Sequence, residues 1–222
     1  MTASALPDPV LVADRLRRDL LDPDFVAATA LTVQTSLISL VIGCVAGGAS
    51  ALLLSERGVA WLYALAQPYL TFLNSTPRVV LVPFFVLIFG IGPASRIALS
   101  VSLVFFVMFY GVFGGIRGVR PELVRSAGIM GASRFDAWRF VVLPGALPSL
   151  FDALRISVSL ALLGVVVGEI VTTPSGLGGL IRVRGEQYNL AGVFSGLVVL
   201  GALSALATGS LGAFATRVLR WR

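Results

Sequence analysis

The chain has 222 residues, of which 57% are hydrophobic and 13% are charged, and its mean hydropathy is +0.94. Soluble domains carry about 45–50% apolar and about 25% charged residues, so the apolar excess is too large for one soluble core and indicates an integral membrane protein.

The formal net charge is +6, and all 17 basic residues are arginine. A chain without lysine or histidine lacks the Walker A lysine, the usual general base and most zinc ligands. We therefore expect no catalytic residues, no metal site and no cofactor in this chain. Arginine in so apolar a chain is more typical of cytoplasmic loops than of nucleic-acid binding, and we expect no nucleic-acid partner.

The chain divides into a polar N-terminal tail and a transmembrane domain. The tail, residues 1–24, has no apolar run that would mark a signal peptide, and Leu11 to Leu21 predicts a short amphipathic helix. The domain, residues 25–222, contains five apolar segments, each long enough to cross about 30 Å of hydrocarbon. Because lipid offers no partners to the backbone, these segments must be helices. The predicted fold is all-α, a polytopic membrane helical bundle of about five transmembrane helices, at residues 28–54, 61–89, 97–116, 147–171 and 190–215.

The second segment is too long for one straight helix and contains three prolines. Pro77 follows a polar run, and proline removes a helix hydrogen bond and disfavours helix at the preceding residue, so we expect a break near Ser75–Pro77. Irregular backbone at membrane depth faces protein or a water-filled cavity, which points to a translocation path; a kinked packing helix is the alternative.

Arg78 either lines that path and attracts an anion or extends its head group to an interface. Glu169 is costly inside a span and either lines the outer end of the path or lies at the interface. The candidate path residues are Asn74, Ser75, Thr76, Arg78 and Glu169.

Arginine placement predicts the topology. The connection at 117–147 carries five arginines and the C-terminal tail ends with Arg217, Arg220 and Arg222, so the positive-inside rule places both in the cytoplasm. The turn with Arg57 is then also inside. The N-terminal tail, the turn with Arg96 and the loop at 172–189 lie outside. The three arginines of the N-terminal tail oppose this assignment.

The connection at 117–147 predicts a helix, a glycine and a second helix. Pro121 suits a first helical position, Gly131 interrupts the helix, and Ser133 with Asp136 forms a capping-box pattern for the next one. Phe135 and Trp138, with Val142, fall on one face of that second helix. This element is either a docking surface for another protein or a hairpin on the membrane surface.

These residues resemble the permease subunits of bacterial ABC importers. Their cytoplasmic motif is Glu-Ala-Ala, three residues, Gly, nine residues and Ile-x-Leu-Pro. Arg125-Ser126-Ala127, Gly131 and the run Val141 to Pro144 match its spacing. Further passages, among them 89–92, 131–134, 143–148, 154–156, 168–169 and 176–181, resemble the nitrate, sulfonate and taurine type.

The resemblance implies the type I importer-permease fold and an assembly in the bacterial inner membrane. The partners would be two copies of an ATP-binding subunit, which hold ATP and Mg²⁺, a second permease copy or paralogue, and an extracytoplasmic solute-binding protein. The loop at 117–147 would be the coupling element that enters a cleft on the ATPase, with Gly131 at the turn between its helices; ordinary helix capping is the alternative for Gly131. The implied ATPase-coupling residues are Glu122, Arg125, Ser126, Ala127, Gly131, Ser133, Phe135, Trp138, Leu143 and Pro144.

The sequence departs from the family pattern in two places. Arg125 replaces the acidic residue of the motif and Ser126 its first alanine; Glu122, one turn earlier on roughly the same face, is a possible substitute. Relatives carry another span before the segment that resembles Leu6 to Pro9, so either the protein has five spans with its N-terminus outside or the sequence starts late.

The resemblance implies a small anionic substrate, although relatives also carry vitamin precursors. The alternative function is an ATP-independent secondary transporter or channel subunit.

Overall fold

The structure is a computed structural model that describes residues 7–55, 60–172 and 175–218. Those residues form α-helices with short 3₁₀ and π segments and no strand, which confirms the all-α prediction. Four helical stretches are long and apolar enough to cross a membrane, and a bent pair of shorter ones makes a fifth. The α-helices are α1 (Pro9–Leu21), α2 (Pro23–Ser55), α3 (Ala60–Ser75), α4 (Val82–Phe89), α5 (Pro93–Arg117), α6 (Pro121–Ile129), α7 (Arg134–Ala137), α8 (Leu143–Thr172), α9 (Gly176–Glu186) and α10 (Leu190–Val218). Arg57, Arg220 and Arg222, used in the topology prediction, lie outside the described residues.

Helix α5 is the centre of the bundle and packs between α2 and α8. Small residues let the helix backbones approach closely. This packing is usual in membranes, because lipid gives no hydrophobic driving force for helix association and close contact must provide it. A Cβ on Gly43 would lie 2.6 Å from the Val104 side chain, and one on Gly164 would lie 2.7 Å from Ser100 Cα. Larger side chains at these two glycines would therefore push α2 or α8 away from α5.

An aromatic ladder runs along α5 toward its C-terminal end. Phe105, Phe109 and Phe113 stack at four-residue spacing, with ring centroids 6.1 and 5.6 Å apart. Tyr63 of α3 stacks on Phe113 at 4.4 Å, and the Arg117 guanidinium lies over both rings. These contacts fix the start of α3 against the end of α5.

The second apolar segment breaks where the prolines predict. Helix α3 ends at Ser75, Pro77 is extended, and a 3₁₀ turn over Arg78–Leu81 leads into α4, whose first turn contains Pro83. The two halves meet at 90°. The cause is local, because Pro77 cannot donate the hydrogen bond that would continue α3.

Helix α8 continues α7 through a π-helical turn at Trp138–Val142, so the helical stretch runs from Arg134 to Thr172. The Leu143 N–H bonds to the Trp138 carbonyl, five residues back. Pro144 follows immediately, and its ring would clash with a carbonyl four residues earlier in a regular α-helix. The wider turn relieves that clash.

Two segments predicted as external turn or loop are helical. Residues 176–186 form α9, which begins after Ser175, and Gly176 has a φ of +82° that favours glycine. Arg96 lies inside α5 and is buried rather than in a turn. The predicted tail helix is confirmed as α1, where Asp8 caps Val10 N–H at 2.9 Å.

Candidate coupling and translocation sites

The connection between α5 and α8 presents an exposed helix–glycine–helix element. Helix α6 ends in a capping turn in which Ala132 N–H bonds to the Ala127 carbonyl at 3.0 Å, and Gly131 has a φ of +87°. Glycine adopts this conformation most readily, and asparagine is the usual alternative. The predicted capping box is present: Asp136 N–H bonds to Ser133 Oγ at 3.2 Å, and Ser133 N–H bonds to the Asp136 carboxylate at 3.2 Å. Both predicted helix starts and the glycine turn are thus confirmed.

Most predicted coupling residues lie at the surface of this element. The exposed members are Glu122, Arg125, Ser126, Gly131, Ser133, Phe135 and Leu143, whereas Trp138 and Pro144 are half-buried and Ala127 is buried. The Phe135 ring is 63% exposed, and Ile129 and Met130 are more exposed still. Such a concentration of exposed apolar side chains between charged ones is typical of an interaction surface.

Glu122 and Arg125 stand one turn apart on α6, and neither has an ion-pair partner among the described residues. The structure therefore leaves both charges available to a partner. Whether Glu122 replaces the acidic residue of the family motif stays a prediction.

The break between α3 and α4 holds Arg78 near the middle of α5. Its guanidinium lies 4.5 Å from the centroid of the Phe106 ring, and Phe106 is midway along α5. One guanidinium nitrogen donates to Asn74 Oδ1 at 2.6 Å, while Nε is buried and has no hydrogen-bond partner within the described chain. Asn74 and Ser75 are exposed and Thr76 is half-buried. The break thus carries a partly unsatisfied cation at the depth of the bundle centre rather than at either end.

Glu169 lies in the interior of the bundle, with its side chain 0% exposed. Thr32 Oγ1 of α2 lies 2.9 Å from each carboxylate oxygen, Gly178 N–H of α9 donates at 2.9 Å, and Arg96 Nη1 of α5 lies at 3.4 Å. The Leu177 N–H donates to Thr32 Oγ1 at 2.8 Å. Four helices therefore meet at one carboxylate, and Glu169 is fully buried among them. Its role in the path stays a prediction.

A second buried charge cluster holds α1 on the bundle. Arg184 of α9 donates two hydrogen bonds to Asp19 at 2.7 and 2.8 Å, and Ser195 Oγ of α10 donates a third at 2.7 Å. Arg15 Nε lies 3.0 Å from the same carboxylate, and the Arg184 guanidinium lies over the Phe25 ring. Burial alone would raise the pKa of Asp19, but the hydrogen bonds from Arg184 and Ser195 and the charges of Arg184 and Arg15 hold it below its ordinary value. The sequence analysis missed this cluster because Arg184 and Ser195 lie 165 and 176 positions from Asp19 in the sequence.

Comparison with known proteins gives a consistent picture. Residues 29–220 match the family described as binding-protein-dependent transport system inner membrane component. The taurine transport system permease TauC of Escherichia coli is 29% identical over 196 residues, 88% of this chain and 69% of that protein. The formylaminopyrimidine transport permease ThiX of Halalkalibacterium halodurans is 30% identical over 219 residues, 98% and 86% of the two chains. A Bacillus subtilis protein named as an aliphatic sulfonates transport permease, SsuC, is 26% identical over 222 residues, 100% and 80% of the two chains.

Solved structures show the same fold. A chain of the MetNI methionine ABC transporter in an inward-facing conformation superposes with a TM-score of 0.69 at 25% identity, covering 85% of this chain and 91% of that one. A chain of an amino acid ABC transporter superposes with a TM-score of 0.68 at 17% identity, covering 90% and 94%. The second likeness concerns the fold alone.

Proposed function

The chain belongs to the family of binding-protein-dependent transport system inner membrane components, and from this membership and the site geometry we propose that it imports a small anion past Arg78. As a member of the family it is a multi-pass membrane protein, the permease component of an ABC importer, and not an enzyme. Permeases of this kind work with ATP-binding subunits and a solute-binding protein. The family membership selects this function over an ATP-independent transporter or channel subunit.

In the proposed assembly, two ATP-binding subunits hold the ATP and Mg²⁺, and a second permease copy or paralogue completes the path. The element formed by α6 and α7 faces the cytoplasm together with the C-terminal end of α10, in line with the positive-inside rule. Helices α1 and α9 then face the solute-binding protein on the other side. The mechanism is alternating access, in which ATP-driven closure of the partner subunits favours one of two conformations of the helices.

The observation that carries the coupling role is the exposed apolar surface around Phe135. A cross-link tests this role directly. A photoreactive amino acid at Phe135, compared with one at Tyr188, gives a matched pair, because Tyr188 is 89% exposed at the opposite end of the bundle. We expect Phe135 to cross-link to the ATP-binding subunit and Tyr188 not to. An ATPase adduct at Tyr188 with none at Phe135 would contradict both the coupling role and the orientation.

The observation that supports the anion path is the unpaired Nε of Arg78 in the broken span. An intramembrane charge is costly and most often serves function, and a guanidinium matches sulfonate, phosphate or carboxylate oxygens in geometry. The relatives named for taurine and aliphatic sulfonates make sulfonates the first substrates to try.

ATP-dependent uptake of radiolabelled taurine and of a short alkanesulfonate by proteoliposomes tests this proposal. Arg78→Leu should abolish uptake while leaving ATP hydrolysis in place, whereas Arg217→Leu, exposed at the C-terminal end of α10, is the matched control and should keep both. Undiminished uptake by the Arg78→Leu variant would contradict the proposed role of Arg78 in the translocation path.

A further inference from the structure

The cleft between α8 and α10 holds two opposite charges that the coupling and path sites do not use. Asp152 and Arg155 stand three residues apart on α8, line a cleft of about 330 Å³ and are both exposed. The opposite wall is made by Leu211, Gly212, Ala215 and Thr216 of α10. Among the described residues neither charge has an ion pair or a hydrogen bond. Small residues on α10 thus leave room in front of an unsatisfied pair of ions.

The cleft lies within the spanning part of α8, close to the end that carries α6 and α7. A Cβ on Gly115 would lie 2.8 Å from Ser149 Cβ, so these two positions are at the same level of the bundle. With a rise of about 1.5 Å per residue, Arg155 lies about 12 Å deeper than Arg117 at the end of α5. Helical side chains lean toward the helix N-terminus, so Arg155 and Asp152 extend toward that interface. Charges at this depth are costly, and a polar partner lowers that cost.

The surroundings of the charges fit a lipid. Phe151 and Phe214 pack edge to face at 6.2 Å beside the cleft, and Leu211 extends the apolar wall. Further from this end of the bundle, α8 and α10 are in polar contact, with Ser159 Oγ 3.4 Å from Ser204 Oγ and 3.3 Å from Thr208 Oγ1. A ligand here would place its charged part toward the interface and its apolar part along the aromatic rings. Basic clefts between spans are known head-group sites.

We propose that this cleft binds the head group of a zwitterionic phospholipid, phosphatidylethanolamine. Its phosphate accepts hydrogen bonds from Arg155, and its primary ammonium donates to Asp152. Phosphatidylglycerol has no ammonium for Asp152, and its net charge is repelled by that carboxylate. The quaternary ammonium of phosphatidylcholine has no N–H to donate. This proposal requires only that the chain is embedded in a membrane. It does not depend on the proposed roles of the coupling and path residues.

Native mass spectrometry of the full chain, purified with each of the three lipids carrying identical acyl chains, tests the assignment. The wild type should retain phosphatidylethanolamine in preference to the other two lipids. Arg155→Leu should lower retention about tenfold, the effect of losing one hydrogen bond between charged groups. Arg182→Leu, at the opposite end of the bundle, is the matched control and should retain the lipid. Thermal melting of each variant checks that it is folded.

A specificity switch separates this site from a general anion site. Asp152→Asn should shift the preference from phosphatidylethanolamine toward phosphatidylglycerol by about tenfold, because the remaining Arg155 then favours a net negative head group. An unchanged lipid ratio in Asp152→Asn, or full retention in Arg155→Leu, would overturn the proposal.

A cross-link distinguishes lipid from a second protein copy. In a Cys44→Ser background, Asp152→Cys should give little disulfide-linked dimer in native membranes. Near-complete dimer formation would show that another copy covers the cleft, and would also overturn the lipid assignment.

Discussion

Gly131 allows the coupling role to be tested apart from folding. A Cβ at this position would meet no atom within 4 Å, so the chain itself has room for a side chain. The φ of +87° nevertheless imposes strain of about 1–2 kcal/mol on most residues with a Cβ, asparagine being an exception. This strain is present whether or not the surface is docked on its partner, so it cancels from the docking equilibrium. Added bulk is different, because only the docked state meets it.

Three substitutions separate strain from bulk. Gly131→Asn adds little of either, because asparagine tolerates the left-handed region, and Gly131→Ala adds strain alone. Gly131→Trp adds both. We expect Asn and Ala to keep most of the wild-type uptake, and Trp to fall below about a tenth, which needs docking to weaken by only about 1.4 kcal/mol.

The assay is ATP-dependent uptake by proteoliposomes containing the ATP-binding subunits, at matched amounts of permease. Retention of each variant on a size-exclusion column and its melting temperature report whether it is folded. Wild-type uptake in Gly131→Trp would refute the docking role. Equal losses in Gly131→Ala and Gly131→Trp would show that the shape of the turn, and not the space in front of it, is what matters.

Three further predictions concern stability. Glu169→Gln should destabilise the bundle by about 3–5 kcal/mol, because it leaves the buried Arg96 without its counter-charge; a thermal melt in detergent measures this, and an unchanged melt would contradict the role of the cluster. Asp19 has a pKa below its ordinary value, so it stabilises docked α1 at pH above about 4, the unfolded pKa, and this contribution is lost as pH falls through the folded pKa. Proteolysis of α1 should therefore increase at low pH in the wild type and be pH-independent there in Asp19→Asn. Gly164→Leu should lower the melting temperature more than Gly201→Leu, because only the first side chain meets a neighbouring helix; equal melting temperatures would contradict the close packing of α5 and α8.

Local chemistry made much of the fold predictable. The five apolar segments, the break before Pro77 and the paired helices around Gly131 depend on hydropathy, proline and capping, which act over a few residues. The coupling motif could be found in the same way, because its spacing lies within one connection. The π turn before Pro144 also has a local cause, and its signal is the proline itself.

The sequence alone determined that the chain crosses a membrane several times, where the second span breaks and which connection forms the helix–glycine–helix element. Only the tertiary structure decided which charges are satisfied. Glu169 contacts Arg96 and Thr32, and Asp19 contacts Arg184, from helices far apart in sequence. By contrast, the buried Nε of Arg78 has no partner in the described chain, and Asp152 and Arg155 form no ion pair there. The physical reason is that burying a charge is costly unless a partner is in place. Whether a partner is in place depends on how helices pack, and no local pattern encodes that packing.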